Sequence, residues 1–339
     1  MKKSKIRLLP LVAALSLTGV IALQPATAET AAPAAQPAVQ PAAEAAAPAK
    51  AGTVANEQNG NNAVKGSVES KASEAAADSR ATIIKEAVTA LTEINKALVA
   101  LDEGKKQEAL DALAAATGKL ELVVSRDPAL ALAPVAVNVA TTDLIASVDT
   151  IEDATDRARD FLSDGEVQKA RAVLANLASE MVVSVTNIPL GTFPDAIKAV
   201  SPLIDAGKTD EAKAALVAAL NTLVVVDTVI ALPVLRAELL LADAELLAEK
   251  EGRSDQENEA LAILLSQARY QLKLAEALGY GKKSDYREYY RLIDEIKDKT
   301  RKGGFGKGFF DKIKAKLKAL KEDNSKASGS RPDGDSQAK

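Results

Sequence analysis

The chain has no histidine, no cysteine and no tryptophan, and its 339 residues include only five tyrosines and five phenylalanines. Without histidine the commonest general base is missing, and with it the Ser–His and Cys–His nucleophile pairs and most zinc sites. Without cysteine there are no disulfides and no attachment point for a lipoprotein anchor. Little of the chain titrates near neutrality, so its charge changes mainly as carboxylates protonate, at about pH 4. Beyond the N-terminal region, no run of about 18 or more apolar residues suggests a membrane span.

Charge is present but unevenly placed. Residues 29–300 hold 28 basic and 42 acidic side chains, whereas residues 301–339 hold 11 basic and 5 acidic. An acidic body argues against nucleic acid as its partner. The N-terminus carries Lys2, Lys3, Lys5 and Arg7, then a mostly apolar stretch from Leu8 to Leu23, then Ala26–Thr27–Ala28. That order is the pattern of a cleaved secretory signal over residues 1–28, and it predicts a periplasmic protein. Residues 29–78 are rich in Ala and Pro, then in Asn, Gly and Ser, and read as a disordered tether with too few large apolar groups for a core.

The body is built on a motif used three times. Leu101–Asp102–Glu103–Gly104 is followed by Ala109, Leu113 and Leu122. Leu162–Ser163–Asp164–Gly165 is followed by Ala170, Leu174 and Val183. Ile204–Asp205–Ala206–Gly207 is followed by Ala212, Leu216 and Val225. Gly104, Gly165 and Gly207 suit the left-handed position that ends a helix, and the Ala and Leu let the next helix pack back. The spacing between copies is irregular, which favours a local hairpin device over a regular solenoid. The fold class expected is therefore all-α: an irregular multi-helix domain of helix–Gly-turn–helix hairpins over residues 79–300, with one or two short extended segments. Those segments are expected at Ala133–Val139 and Met181–Thr186, which are rich in β-branched residues. Helices are expected over Asp195–Ile204, Asp210 to about Val226, Val234–Glu249 and Asp255–Leu278. A weaker fourth hairpin copy would centre on Gly281.

Two features invite a functional reading. Tyr280, Tyr286, Tyr289 and Tyr290 are four of the five tyrosines and offer a ligand-binding face, although such a stripe is more often a capping layer of a bundle. In the tail, residues 301–339, a basic amphipathic helix puts Phe309, Phe310, Ile313, Leu317 and Leu320 on one face, with Lys312, Lys314, Lys316, Lys318 and Lys321 around the others. It could dock on an acidic body, its own or a neighbour's, or lie on a membrane surface. No catalytic constellation accompanies these features. Thr117–Gly118–Lys119 lacks the rest of a phosphate loop, and neither Asp102–Glu103–Gly104 nor Asp149–Asp160 has the ligand spacing of an EF-hand. No catalytic residue, cofactor site or metal site is assigned.

Several segments together resemble the YfdX family of exported bacterial proteins: Leu132–Ala133–Pro134–Val135, Val183–Ser184–Val185–Thr186 with Pro189–Leu190, Leu232–Pro233–Val234–Leu235–Arg236–Ala237–Glu238, and Gln271 through Tyr280. The resemblance spans about residues 80–298. It implies a mostly helical periplasmic protein linked to acid, heat and multidrug stress, with a chaperone-like role and no assigned reaction. The expectation is thus a non-enzymatic, homo-oligomeric holdase whose partners are unfolding client proteins. A small-molecule or signal-binding module, or a membrane-surface protein acting through the C-terminal helix, is the alternative.

Overall fold

A computed structural model of the chain describes residues 61–328. The expected signal sequence, most of the tether and the end of the tail lie outside the described residues. Helix α1 (Lys65–Ala81) comes first, so the tether expected to reach residue 78 gives way to helix well before that point. Its Ala, Glu, Lys and Arg content favours helix, and it is anchored at its start by Val64, which is buried.

Helices α2 (Lys85–Asp102) and α3 (Lys106–Arg126) form an antiparallel hairpin. Ala87, Ala90, Ile94, Ala97 and Leu101 face Ala109, Leu113, Ala116 and Leu120, and all are buried. The small side chains let the two axes approach closely. At the turn, Gly104 has φ 71° and the Lys105 N–H donates to the Ala100 carbonyl at 2.8 Å. This closing bond from the third residue past the helix to its last turn returns at Glu166 to Phe161 and at Lys208 to Leu203, with Gly165 and Gly207 at φ 75° and 73°. It returns a fourth time at Tyr280 to Ala275, but there the glycine is Gly279 and not Gly281, two positions from the one expected.

Strand β1 (Leu132–Thr142) follows, then the hairpin of α4 (Val148–Ser163) and α5 (Val167–Leu174), then β2 (Glu180–Pro189). Short helices α6 (Phe193–Lys198), α7 (Ser201–Asp205) and α8 (Thr209–Leu220) lead to β3 (Val224–Ala231). The three strands form one antiparallel sheet in the order β1–β2–β3. Leu132 pairs with Pro189 and Thr142 with Glu180; Glu180 in turn pairs with Ala231. A bulge between Pro134 and Ala136 shifts the β1 register. The chain is mostly helical, as expected, but its extended segments are three strands and not one or two short pieces. The helix expected to run to Val226 stops at Leu220, because the β-branched run Val224–Val225–Val226 finds a partner strand in β2.

The last four helices are α9 (Leu232–Glu249), α10 (Asp255–Ala277), α11 (Lys283–Thr300) and α12 (Asp311–Ser328). Pro233 sits in the first turn of α9, where its missing N–H costs nothing. Helix α10 begins with a reciprocal cap in which the Glu257 N–H donates to Ser254 Oγ and the Ser254 N–H to Glu257 Oε2. The buried residues fall into two clusters. One joins α2, α3, α6–α8 and one end of the sheet; the other joins α9–α12 with Val64 and Ala231.

Arg253 fastens the second cluster. It is 8% exposed, and its guanidinium donates to the carbonyls of Leu247, Ala248 and Lys250 at the end of α9. It also donates to Thr300 O at the end of α11, to Gly304 O, and through Nε to Asn258 Oδ1. One cation thereby caps two helix C-termini, whose orphan carbonyls and dipoles favour positive charge. Replacing Arg253 with Met leaves several buried carbonyls unpaired, and the expected loss is about 3 kcal/mol in urea denaturation. Replacing exposed Lys105, paired with Glu103, should shift stability by no more than about 0.5 kcal/mol.

Candidate functional site

The four tyrosines prove to be packing groups. Tyr286 and Tyr289 are buried between α10, α11 and α12, with their rings edge to face at 5.6 Å. Each hydroxyl has a protein partner: Tyr280 donates to Glu180 Oε2, Tyr286 to the Tyr280 carbonyl, Tyr289 to the Lys316 carbonyl, and Tyr290 to Glu276 Oε2. The ligand-binding face read from this stripe is therefore corrected to a capping layer. Burial pushes all four phenols up, Tyr289 to about 12.

The tail helix likewise belongs to the body. Phe310, Ile313, Leu317 and Leu320 are buried in the second cluster and Phe309 is partly buried against it. Lys314 pairs with Glu245 and Lys321 with Glu238, both on α9, at 2.8 and 2.6 Å, while Lys318 faces solvent. A Cβ on Gly281 would lie 2.3 Å from Leu320, so the loop before α11 needs glycine to let α12 settle. The apolar stripe that could have met a membrane is covered by its own chain. The boundary expected at residue 300 accordingly does not separate the tail helix from the core.

A polar network absent from the sequence reading ties these parts together. Arg236, 7% exposed in the first turns of α9, donates to both oxygens of Asp143, at 3.1 and 2.5 Å. Ser179 Oγ donates to the same carboxylate at 2.9 Å, and the Ser179 N–H donates to the Tyr280 hydroxyl at 3.0 Å. A cavity of about 390 Å³ opens beside Arg236 and Asp143, with Lys65, Glu69 and Thr141 on its walls. The guanidinium is already matched by a carboxylate with two parallel bonds, so this cluster joins the end of β1 to α9 and offers no free nucleophile and base. The signal available in the sequence was an arginine inside the apolar run Leu232–Ala237, which burial would oblige to find a partner.

The most open part of the body is the sheet edge. β1 has no charged side chain along its eleven residues. Val183 and Met181 lie on the face that α1 covers; on the other face Ala136, Asn138 and Ala140 are exposed. Ile84 N–H donates to Pro134 O, but no described residue outside β2 makes a backbone bond to Ala136–Thr142. On the opposite margin, Val224, Val225 and Val226 of β3 are 36%, 57% and 37% exposed. The uncharged edge of β1 over Ala136–Thr142 can accept another extended chain, whereas β3 carries Asp227 and packs against α12. Among the described residues no helix is long and apolar enough to cross a membrane, and no three acidic side chains converge on a metal-sized site.

Raised phenol pKa values carry a sign. A folded state that holds Tyr289 protonated to about pH 12 loses stability once the unfolded chain begins to ionise, from about pH 10 upward. Stability measured by urea should be level from about pH 6 to about pH 10 and fall above it, and Tyr289→Phe should lessen that slope.

Comparison with known proteins gives a match to part of the chain. The family model described as YfdX protein matches residues 90–229, a narrower span than the 80–298 read from the sequence. That span holds most of the first cluster and most of the sheet, while α9–α12 lie beyond it. A solved structure of YfdX from Salmonella Typhi is similar at 18% identity, covering 44% of this chain and 92% of that one, with a TM-score of 0.30. No curated protein matches. The resemblance to the YfdX protein family is thus shown, and it rests on residues 90–229.

Proposed function

We propose that this chain is a non-catalytic, exported holdase that binds extended apolar segments of unfolding proteins along the margin of its sheet. The observation that carries the reading is β1, an eleven-residue outer strand with no charged side chain and an exposed face. Natural edge strands are normally blunted by lysine, proline or a covering element, and over Ala136–Thr142 this one has none of these from the described residues. An unfolding client supplies the backbone donors and acceptors that the edge lacks, and the valines of β3 supply a second apolar margin. Export rests on the basic and apolar order of residues 2–28, and a second copy of the chain is the natural occupant of the same edge when no client is present.

Acid bears on this reading through paired carboxylates. Hydrogen bonds from Arg126 to Glu86, and from Lys250 to Glu257, hold both glutamates below the ordinary carboxylate range. Groups lowered on folding stabilise the fold above their unfolded pKa, about 4.3, and that contribution is lost as pH falls through the lowered value. Glu86 ties α2 to the end of α3, so acid loosens the hairpin nearest to β1.

The test is light scattering of a heat-labile client enzyme warmed with an equimolar amount of this protein, at neutral pH and at about pH 4. The wild type should suppress aggregation. The double variant Asn138→Lys, Ala140→Lys should lose most of that effect while melting at the same temperature, because both side chains face solvent. No suppression by the wild type at either pH would reject the reading.

A further inference from the structure

The loop from α11 to α12 contains Arg301–Lys302–Gly303–Gly304–Phe305–Gly306–Lys307–Gly308. It is held from inside at two points. Arg253 donates to the Gly304 carbonyl at 2.6 Å, and the Gly306 N–H donates to the Ala248 carbonyl at 3.2 Å. Both anchors need glycine: a Cβ on Gly304 would lie 2.1 Å from the Lys299 carbonyl, and one on Gly306 would lie 2.8 Å from the Phe309 ring. Phe305 sits between them and is 48% exposed, whereas Phe193 and Phe310 are buried and Phe161 and Phe309 partly so. The loop therefore presents one aromatic ring outward on a fixed crest.

The ring is surrounded by cations. Arg301, Lys302 and Lys307 are exposed and pair with no carboxylate among the described residues. Lys302 is held at φ 54°, the one non-glycine with positive φ among the described residues. Beside the loop lies a cleft of about 880 Å³, where Arg253, Lys297, Arg301 and Lys302 outnumber Asp255 and Asp298. This concentration of positive charge stands on a body that is acidic as a whole.

We propose that this crest docks the protein on an anionic lipid bilayer. Phe305 enters the interfacial region, Arg301, Lys302 and Lys307 meet headgroup phosphates, and the cleft receives one headgroup. The partner is argued from charge complementarity and from a ring that the described residues leave 48% exposed. The inference does not depend on client binding, since the loop is on a different element from β1 and lies outside residues 90–229.

The chain has no tryptophan, so Phe305→Trp places a single reporter at the crest. In the full chain its emission should shift to the blue with phosphatidylglycerol vesicles and be quenched by brominated acyl chains, with little change on phosphatidylcholine vesicles. Adding Arg301→Glu and Lys302→Glu should raise the lipid concentration at half-saturation at least about tenfold, with an unchanged melting temperature. An equal shift on neutral vesicles, or a shift insensitive to the charge reversals, overturns the proposal. So does an unshifted spectrum on anionic vesicles. Inorganic phosphate that raises the melting temperature saturably, without vesicle binding, would instead mark the cleft as a site for a soluble anion.

Discussion

The structure depends on the backbone ladder of β2. This strand is paired on both sides, with β1 and with β3, and it runs between the two buried clusters. Ile188 at its end and Leu190 just beyond it are buried in the first cluster; at its start Met181 is buried, and Ala231, paired with Glu180, leads directly into α9 of the second. Backbone hydrogen bonds are obligatory for buried strands, so the sheet fixes where the helical hairpins can lie. The Asp143–Arg236 pair adds a side-chain tie at the same junction, joining the segment after β1 to α9. Arg236 is buried but the Asp143 side chain is 35% exposed, so the pair keeps one charge partly in water and its desolvation falls mainly on the guanidinium.

The three glycine turns were legible because everything that makes them is local. A glycine at the end of one helix and an Ala and Leu at helical spacing in the next are enough to predict the return. Strand β3 was not, since its valines follow an alanine-rich helix former and an apolar run fits either period until a partner strand is known. The tail helix shows the same division. Its stripe of Phe310, Ile313 and Leu317 could be read directly, but its cover, α9 and α11, is supplied only by tertiary contact. Arg253 left no trace in the sequence, because its partners are main-chain carbonyls that any residue types would provide.

Electrostatics sorts the surfaces by role. Lysines of the tail helix meet glutamates of α9, so that part of the contrast between basic tail and acidic body is spent within the molecule. The cations of the loop before it are not matched in this way, and β1 carries no charge at all. The two open surfaces are therefore chemically unlike: one is neutral and edge-on, the other cationic with an aromatic tip. The family match covers the first and leaves out the second.

The way the strands are connected has a kinetic consequence. None of them is joined to its neighbour by a tight turn: α4 and α5 intervene between β1 and β2, and three short helices between β2 and β3. The helical hairpins close over a few residues and can form in microseconds, whereas each strand pair must first close a long loop. During synthesis the valine-rich strands thus emerge flanked by helices already formed and wait for partners that are still to come. The order of assembly is thus set by connectivity: the helical returns are local, and the sheet that joins them is the part that closes last.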